Sequence, residues 1–518
     1  MKNIWFVPAI CLAFLGCTFA QIPQDSKTAN DFVLPNKSPF RYGANMGYYP
    51  SFNDEKVADL GAKVDVNSLR LGFFESFAEY WGYDIRESAF RHYDSLGMTE
   101  NVCFLGYPSP NHRDNTIYCG KDSSALFANM YEPIWDKGEN GTPVNDKNYY
   151  ALYVYKTVKK YEKTVKFWEI WNEPDYATTF KSEMAAGLPG AWWNTNPDPC
   201  EYALHAPIQH YIRLLRISYE VIKSLDSKAF VCVGGLGFPS FLDALLRQTD
   251  NPSDGSKTPQ YPMNGGAYFD VLSYHSYPHI DNSVRAWSDK ISGFEYFRHS
   301  DRAVEGVFNH KKGFETVLEK YGYEGQKYPK KHFIITECNL PAKAIGEFMG
   351  SYEAQRNFTI KALVKAQVNN LLQYHVYQLG EISTEKECKN EFDLMGLYHK
   401  LEKDKLPQVT ESGVAFYTTS QILYGLIYNF EETKKLNLPT NVDGAAFKNP
   451  KTNEIIYCLW AKTSVDQSEQ ANAVFDFPTP LSIKQVKVRN WDFSTTNKSV
   501  LMPSKSIKLT GTPVFLSR

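Results

Sequence analysis

The amino-acid sequence predicts an α/β fold, namely a (β/α)8 TIM barrel followed by a C-terminal β-sandwich domain. From about residue 40 to residue 426, short strand-like runs alternate with helix-like segments, which is typical of a parallel sheet covered by helices. About eight such runs are present, the number that closes this kind of barrel. Beyond about residue 430 only strand-like runs follow, and 518 residues suffice for both units.

The barrel is expected over residues 38–428. Its strand-like runs end near Asn45, Arg70, Tyr107, Glu173, Gly235, Tyr277, Glu337 and Gln378. The clearest helical pattern lies in 201–227, where apolar residues recur at helical spacing, so we expect this helix to pack against the barrel wall. Residues 429–518 are expected to form the β-sandwich, and because no low-complexity linker precedes it, we expect it to pack on the barrel.

The amino terminus has the pattern of an export signal. Met1-Lys2-Asn3 precedes an apolar run that is short for a membrane span, so residues 1–20 are predicted to be a signal peptide and the protein to be secreted. An alternative stays open, because Phe14-Leu15-Gly16-Cys17 resembles a loose bacterial lipobox. In that case Cys17 would carry lipid and anchor the protein to a membrane.

The charge composition limits the classes of binding partner that the sequence suggests. With 22% charged residues, a formal net charge of −2 and no long single-sign run, the chain shows no nucleic-acid or membrane-surface footprint.

Nine cysteines less Cys11 and Cys17 leave seven, an odd number, and the pairing among Cys119, Cys200 and Cys388 in polar loops stays open. Four glycosylation sequons begin at Asn36, Asn140, Asn357 and Asn497, and they matter only in a eukaryotic source.

Two glutamates stand where apolar strands end. The run Phe167-Trp168-Glu169-Ile170-Trp171-Asn172-Glu173-Pro174 closes the fourth strand, and Phe333-Ile334-Ile335-Thr336-Glu337 closes the seventh. Strand ends on opposite sides of a small barrel project across one opening. Cleavage of a glycosidic bond needs an acid at the leaving oxygen and a second carboxylate on the other side of the sugar, about 5 Å away in a retaining enzyme. Glu173 suits the acid/base role and Glu337 the nucleophile role.

With these motifs the barrel region resembles glycoside hydrolase clan A, whose acid/base and nucleophile glutamates end strands four and seven. The resemblance implies that Asn172 bonds the sugar 2-hydroxyl, that Arg70 lies near the nucleophile, and that His275-Ser276-Tyr277 is the strand-six pair with Tyr277 bonded to Glu337. The contexts WNEPD and LSYHSYP look closest to families 39 and 5. The chain departs from family 5 at Tyr107, where a His is usual, and at Tyr377-Gln378, where a Trp is usual.

The resemblance leads us to expect a retaining β-glycosidase that acts on a carbohydrate poly- or oligosaccharide of β-glucan or xylan type, with no cofactor and no metal. A transglycosylase and a non-catalytic carbohydrate-binding protein on the same scaffold remain alternatives. Glu75 and Glu381 also follow strand ends and are rival carboxylates. The sequence favours neither a core role nor a site role for His375. It likewise leaves open whether Trp81, Trp192 and Trp193 anchor their loops or stack on sugar rings.

Overall fold

A computed structural model describes residues 27–518. The predicted signal peptide and Cys17 lie outside the described residues. Eight parallel strands close a barrel in which sequential strands are neighbours and the last pairs with the first. We number them β1 (Arg41–Asn45), β2 (Ser68–Phe74), β3 (Asn101–Gly106), β4 (Val165–Ile170), β5 (Phe230–Val233), β6 (Val271–Ser276), β7 (His332–Cys338) and β8 (Gln373–Val376). The predicted TIM barrel is confirmed.

The helices cover the outside of the barrel. They span Asp54–Lys63, Glu75–Trp81, Glu87–Ser95, Tyr149–Tyr161, Ile208–Leu225, Pro239–Arg247, Ser300–Lys320, Tyr352–Val368 and Glu411–Leu423. Several begin at a side chain that caps the first free backbone N–H groups, such as Asn148, Ser351 and Thr410. Among residues 27–518, no helix has both the length and the apolar character that a membrane crossing needs.

The barrel interior has an apolar lower layer and a polar upper layer. Successive strand residues face opposite sides, so Phe167 and Glu169 of β4 point inward while Trp168 and Ile170 pack on the helices. The lower layer consists of Val102, Phe167, Phe230, Cys232, Val271 and Ile334. Above it lie buried polar side chains, Glu169 among them. The interior is therefore a packed core that ends in a polar floor below the barrel mouth.

The C-terminal region is antiparallel. One six-stranded sheet contains Ile427–Tyr428, Val442–Lys448, Ile455–Ala461, Val514–Ser517, Gln485–Arg489 and Ser499–Pro503 in spatial order. A two-stranded sheet formed by Asn472–Phe475 and Ile507–Thr510 lies against it around a second apolar core. This arrangement agrees with the predicted β-sandwich. Short helices, Phe430–Lys435 and Phe493–Thr496, complete the region.

The sandwich packs directly on the barrel helices. Phe447, Cys458 and Trp460 of the large sheet belong to the same apolar core as the barrel. The Glu469 carboxylate, which is buried, accepts hydrogen bonds from the Ser300 backbone N–H, the Ser300 hydroxyl at 2.5 Å and the Asn357 amide at 2.9 Å. Asn357 is itself fully buried, so the sequon at this position is closed to glycosylation in the folded chain.

The loops over the barrel mouth are joined by a disulfide between Cys119 and Cys200, which are 81 residues apart in the chain. This bond resolves the pairing that the sequence left open. Cys388 is partly buried and has a free thiol. The pair joins the loop after β3 to the loop after β4, two segments that border the opening where polar strand ends meet.

We expect Glu469→Ala to lower the free energy of unfolding by about 2–3 kcal/mol, because three buried donors would lose their acceptor. Denaturant unfolding monitored by fluorescence measures this change. Glu295→Ala, at an exposed position, is the matched control and should leave the unfolding free energy within about 0.5 kcal/mol of the wild-type value. Equal stability of both variants would contradict the inferred role of Glu469.

Candidate active site

The predicted site residues meet at the carboxyl ends of the barrel strands. Asn172 and Glu173 follow β4, His275 and Tyr277 come from the end of β6, and Glu337 lies at the end of β7. These five side chains line a cleft of about 560 Å³ at the barrel mouth. Arg70 of β2 lies beneath them, only 2% exposed. The structure thus brings all six predicted site residues together.

The two glutamates face each other at short range. One carboxylate oxygen of Glu173 and one of Glu337 lie within 4.8 Å of each other, with a His275 ring nitrogen inside the same limit. Retaining glycosidases hold their two carboxyl groups about 5–5.5 Å apart, whereas inverting enzymes need about 6.5 Å or more to admit a water molecule. The separation favours direct attack on the sugar by one of the two carboxylates.

Glu337 is held by two fixed donors. The Arg70 guanidinium donates to one carboxylate oxygen at 2.5 Å, and the Tyr277 hydroxyl donates to the other at 2.7 Å. Burial and then the charge of Glu337 raise the pKa of Tyr277 well above its ordinary value, so the phenol remains a donor. A charged and a neutral donor together favour the anionic form of Glu337 and fix the direction of its oxygens.

Arg70 binds four oxygen-bearing groups at once. Its Nε donates to Glu169 at 2.7 Å, and its two terminal nitrogens donate to Asn45 at 3.0 Å, to Asn172 at 2.7 Å and to Glu337. Burial opposes the guanidinium charge, but the two neighbouring carboxylates outweigh burial and raise the pKa of Arg70. Arg70 is therefore a permanent cation that joins the barrel floor to the cleft.

Glu169 is a site residue that the sequence reading missed. It lies in the barrel interior, fully buried, where it bonds Arg70 and accepts from the hydroxyls of Ser273 at 2.7 Å and Thr336 at 2.8 Å. Its place in strand β4, two residues after the inward-facing Phe167, was the available signal. A carboxylate at an inward position of an otherwise apolar strand requires a buried cationic partner.

Asn172 is oriented by Arg70. Because its side-chain oxygen accepts from Arg70 at 2.7 Å, the amide NH2 group is the part that can donate to a ligand. Asn172 also lines the cleft. This geometry suits the bond to a sugar 2-hydroxyl that the clan A resemblance implies.

Glu173 and His275 form a hydrogen-bonded pair. His275 Nδ1 lies 2.7 Å from a Glu173 oxygen, and Nε2 lies 3.0 Å from the Thr336 hydroxyl. Because Thr336 donates its proton to Glu169, its oxygen accepts from His275, which places a hydrogen on Nε2 and turns Nδ1 toward Glu173. Glu169 therefore reaches both glutamates, one through Arg70 and the other through Thr336 and His275.

The pKa values of this pair move in opposite directions. Burial opposes both charges, yet the hydrogen bond and charge of His275 lower the pKa of Glu173 below its ordinary 4.5. The charge of Glu337 and the hydrogen bond to Glu173 overcome burial and raise the pKa of His275 above its ordinary 6.5. The two shifts favour a state in which the pair holds one proton, shared along the bond between Glu173 and Nδ1.

The rival carboxylates lie apart from this arrangement. Glu75 is bonded to the backbone N–H of Ser109 and to His112, and Glu381 is bonded to His399 at 3.0 Å. Neither glutamate lines the cleft. Their strand-end positions resemble those of Glu173 and Glu337, but histidines in neighbouring loops bind them.

The remaining aromatic and histidine candidates divide between core and cleft. Trp192 is fully buried and donates to Glu201 at 2.7 Å, so it anchors its loop and offers no face to a sugar. His375 is buried inside the barrel, where burial lowers its pKa to about 3. Tyr377, at the end of strand eight, does line the cleft, with its ring packed edge-on against Tyr277.

Within residues 27–518, three groups of donor atoms are close enough to share a metal ion. The first consists of Glu173, His275 and Glu337, and the second of Glu75, Glu79 and His112. The third uses Cys119 and Cys200, whose sulfur atoms are joined in the disulfide. In the first group a cation would compete with the Arg70 guanidinium for Glu337 and with the Glu173–His275 bond. The donor chemistry of this cleft therefore favours sugar hydroxyls and protons over a metal.

We expect Arg70→Lys to lower the free energy of unfolding by about 3 kcal/mol, because Lys cannot replace the forked donors and would leave Glu169 poorly compensated in the barrel interior. Denaturant unfolding measures the change. Arg91→Lys, whose side chain is 73% exposed, is the control and should behave as wild type. Unchanged stability of Arg70→Lys would refute the view that this network supports the barrel.

A second prediction concerns the pH dependence of stability. The raised pKa of His275 stabilises the fold fully below about pH 6.5, and this contribution is lost as pH rises through the folded-state pKa. The lowered pKa of Glu173 stabilises the fold above about pH 4.5, and this contribution is lost as pH falls through its folded-state pKa. The stability difference between wild type and His275→Asn should therefore be largest between about pH 4.5 and 6.5.

Unfolding free energies of both chains measured from pH 3 to 9 provide the test. His205→Asn serves as control, since His205 forms no ion pair within residues 27–518. A pH-independent difference between wild type and His275→Asn would show that the Glu173–His275 pair is not coupled to proton binding.

Solved structures of glycoside hydrolases share this fold. A family 39 glycoside hydrolase from the gut symbiont Bacteroides cellulosilyticus WH2 superposes with a TM-score of 0.57 at 14% identity, covering 93% of this chain and 81% of that chain. A family 51 α-L-arabinofuranosidase from Thermotoga petrophila RKU-1 gives 0.50 at 14%, covering 94% and 98%. A glucosidase from Croceicoccus marinus gives 0.50 at 11%, covering 93% and 97%. The sequence matches no protein-family profile and no curated protein. These likenesses show that the barrel fold is shared, and family 39 is one of the two families that the sequence motifs suggested.

Proposed function

We propose that this protein is a retaining glycoside hydrolase in which Glu337 is the nucleophile and Glu173 the general acid and base. The observation that carries the proposal is the pair of carboxylates within 4.8 Å across the barrel mouth, each with a different partner. Arg70 and Tyr277 favour the anionic form of Glu337, whereas His275 gives Glu173 access to a proton. A nucleophile and an acid need these two environments.

In the first step, a carboxylate oxygen of Glu337 bonds to the anomeric carbon as the bond from that carbon to the leaving oxygen breaks. The proton of the Glu173–His275 pair passes through Glu173 to the leaving oxygen, so the first product departs as a neutral alcohol. Asn172 donates to the 2-hydroxyl, a bond that strengthens as positive charge develops on the sugar ring. The product of this step is a glycosyl ester on Glu337.

In the second step, Glu173 acts as a base. The pair has given its proton to the leaving group, and esterification removes the negative charge of Glu337 that had raised the pKa of His275. Glu173 is therefore a free carboxylate beside a neutral histidine. Glu173 takes a proton from a water molecule, the water oxygen bonds to the anomeric carbon, and the ester bond to Glu337 breaks. The second product keeps the anomeric configuration of the substrate.

The substrate that we propose is a neutral β-linked poly- or oligosaccharide of β-glucan or xylan type. None of the described residues that line the cleft is Lys or Arg, so an acidic sugar would find no cationic partner there. Apolar faces from Tyr176, Phe238 and Phe392 border the same cleft and suit stacking on sugar rings. Structural neighbours named as a glucosidase and as an arabinofuranosidase are in line with neutral sugars.

Action outside the cytoplasm is part of the proposal. The predicted signal peptide in residues 1–20 would direct secretion, and lipid on Cys17 would instead hold the enzyme at a membrane. Substrates too large to enter a cell suit both outcomes. Mass spectrometry of the mature protein distinguishes them, because cleavage before Gln21 and a lipidated Cys17 give different amino-terminal peptides.

The decisive experiment is a screen of polysaccharides with product analysis, repeated with Glu173→Gln and Glu337→Gln. We expect each substitution to lower kcat/KM by about 100-fold or more on unactivated substrates, because each removes one half of the double displacement. The first sugar product should appear with retained configuration by proton NMR. Glu381→Gln is the matched control, a buried strand-end glutamate outside the cleft, and should retain activity.

Other outcomes assign other functions. Inverted product configuration would exclude a nucleophilic role for Glu337. Sugar transfer in preference to hydrolysis would identify a transglycosylase, and ligand binding with no turnover would identify a carbohydrate-binding protein. Activity on aryl monosaccharides alone would contradict the polysaccharide proposal.

A further inference from the structure

The turn that carries Glu173 has an unusual backbone conformation. Trp171, with φ of 74°, and Glu173, with φ of 48°, both lie in the left-handed region that non-glycine residues rarely adopt. The Glu173 N–H donates to the carbonyl of Gly234, the residue that follows β5, at 2.6 Å. A Cβ atom at Gly234 would lie 2.4 Å from the Ile170 carbonyl oxygen, so glycine permits this close approach. The turn thus depends on contacts with the loop after β5.

Asp175 makes two further contacts between this turn and the loop after β5. It lies two residues after Glu173, is only 1% exposed and borders the cleft. One of its carboxylate oxygens accepts from the backbone N–H of Gly237 at 2.9 Å and from that of Phe238 at 2.8 Å. Asp175 therefore ties the Glu173 turn to the loop that begins the helix Pro239–Arg247.

Hydrogen bonding alone does not require a carboxylate at this position. An Asn side chain would accept both bonds through its amide oxygen and would bury no charge. No Lys, Arg or His within residues 27–518 forms an ion pair with Asp175. Burial, followed by the charge of Glu173, raises the pKa of Asp175 to about 7 against the effect of its backbone donors. A buried, unpaired acid beside the proposed catalytic residue points to a role for its charge.

The surroundings of Asp175 contain few competing charges. Its own turn contributes Glu173, the helix Ile208–Leu225 contributes the Tyr211 phenol, and the helix Ser300–Lys320 contributes His310. The other titratable groups that border the same cleft are Tyr176, Glu183, His275, Tyr277, Asp281, Glu337 and Tyr377. None of these groups is a permanent cation, so nothing on the cleft wall neutralises an ionised Asp175.

Building on the proposed function, we propose that Asp175 is a positioning residue: it holds the Glu173 turn against the β5 loop, and its negative charge helps the Glu173–His275 pair retain the proton needed by the leaving group. A nearby anion favours the protonated form of such a pair. Because Asp175 ionises near pH 7, its charge acts on the alkaline side of the activity profile. Asp175 thus extends the pH range in which acid catalysis is available.

The test compares Asp175→Asn, which keeps the hydrogen-bond acceptor, with Asp175→Ala, which removes it. For aryl glycosides of the sugar that the enzyme cleaves, kcat/KM of Asp175→Asn should fall about tenfold with a phenyl leaving group and remain unchanged with 2,4-dinitrophenyl, which needs no proton. Its alkaline limb should move down by about one pH unit. Asp175→Ala should lose activity with both leaving groups. Glu381→Gln, which alters a buried carboxylate outside the cleft, should show neither effect.

A second readout needs no turnover. Nuclear magnetic resonance titration of the histidine rings, with the His275 signal assigned from His275→Asn, should show a lower pKa of His275 in Asp175→Asn than in wild type. Hydrolysis with an unchanged leaving-group dependence and alkaline limb in Asp175→Asn would overturn the inference while leaving the proposed function intact. A wild-type protein that hydrolyses no glycoside would overturn the proposed function. The titration would then decide the inference about Asp175, and an unchanged His275 pKa in Asp175→Asn would refute it.

Discussion

The ion pair between Arg70 and Glu169 inside the barrel is the interaction on which the site depends. Both side chains are almost completely buried, so neither charge is tolerated without the other. The remaining hydrogen-bonding groups of the pair contact residues closer to the cleft. Arg70 donates to Glu337 and Asn172, and Glu169 accepts from Thr336. The polar floor of the barrel therefore orients the cleft residues. The apolar layer below it keeps water from competing for the hydrogen bonds of Arg70 and Glu169.

The two catalytic candidates are supported differently because they lie on different kinds of backbone. Glu337 lies within strand β7, directly after a register irregularity at Thr336, and is paired with His275 of β6. Glu173 lies beyond the end of its strand in a left-handed turn, which contacts with the β5 loop and Asp175 help to hold in place. The side chain of Glu173 is 31% exposed and that of Glu337 is 13% exposed. The residue proposed to exchange protons with leaving groups and water thus occupies the more open position.

Local patterns predicted the barrel and most of the site, because apolar runs and the polar residues that end them are visible along the chain. The bond from Tyr277 to Glu337, which followed from the clan A resemblance, is present. Contacts between distant segments were not visible. Glu169 reads as an interruption of an apolar strand until Arg70 is seen beside it, and Asp175 reads as a turn residue until Gly237 meets it. The Cys119–Cys200 pairing likewise depends on how two long loops approach each other.

The same chemical group, a glutamate carboxyl, is given two roles by its neighbours alone. A permanent cation and a phenol contact Glu337, and the raised pKa values of both keep them as donors to its carboxylate. Glu173 contacts a histidine, the one side chain whose proton is exchangeable in this range. If Glu173 and Glu337 exchanged these partners, they would exchange roles, because the two carboxyl groups have the same intrinsic acidity. The assignment of nucleophile and acid therefore rests on Arg70 and His275 more than on the glutamates themselves.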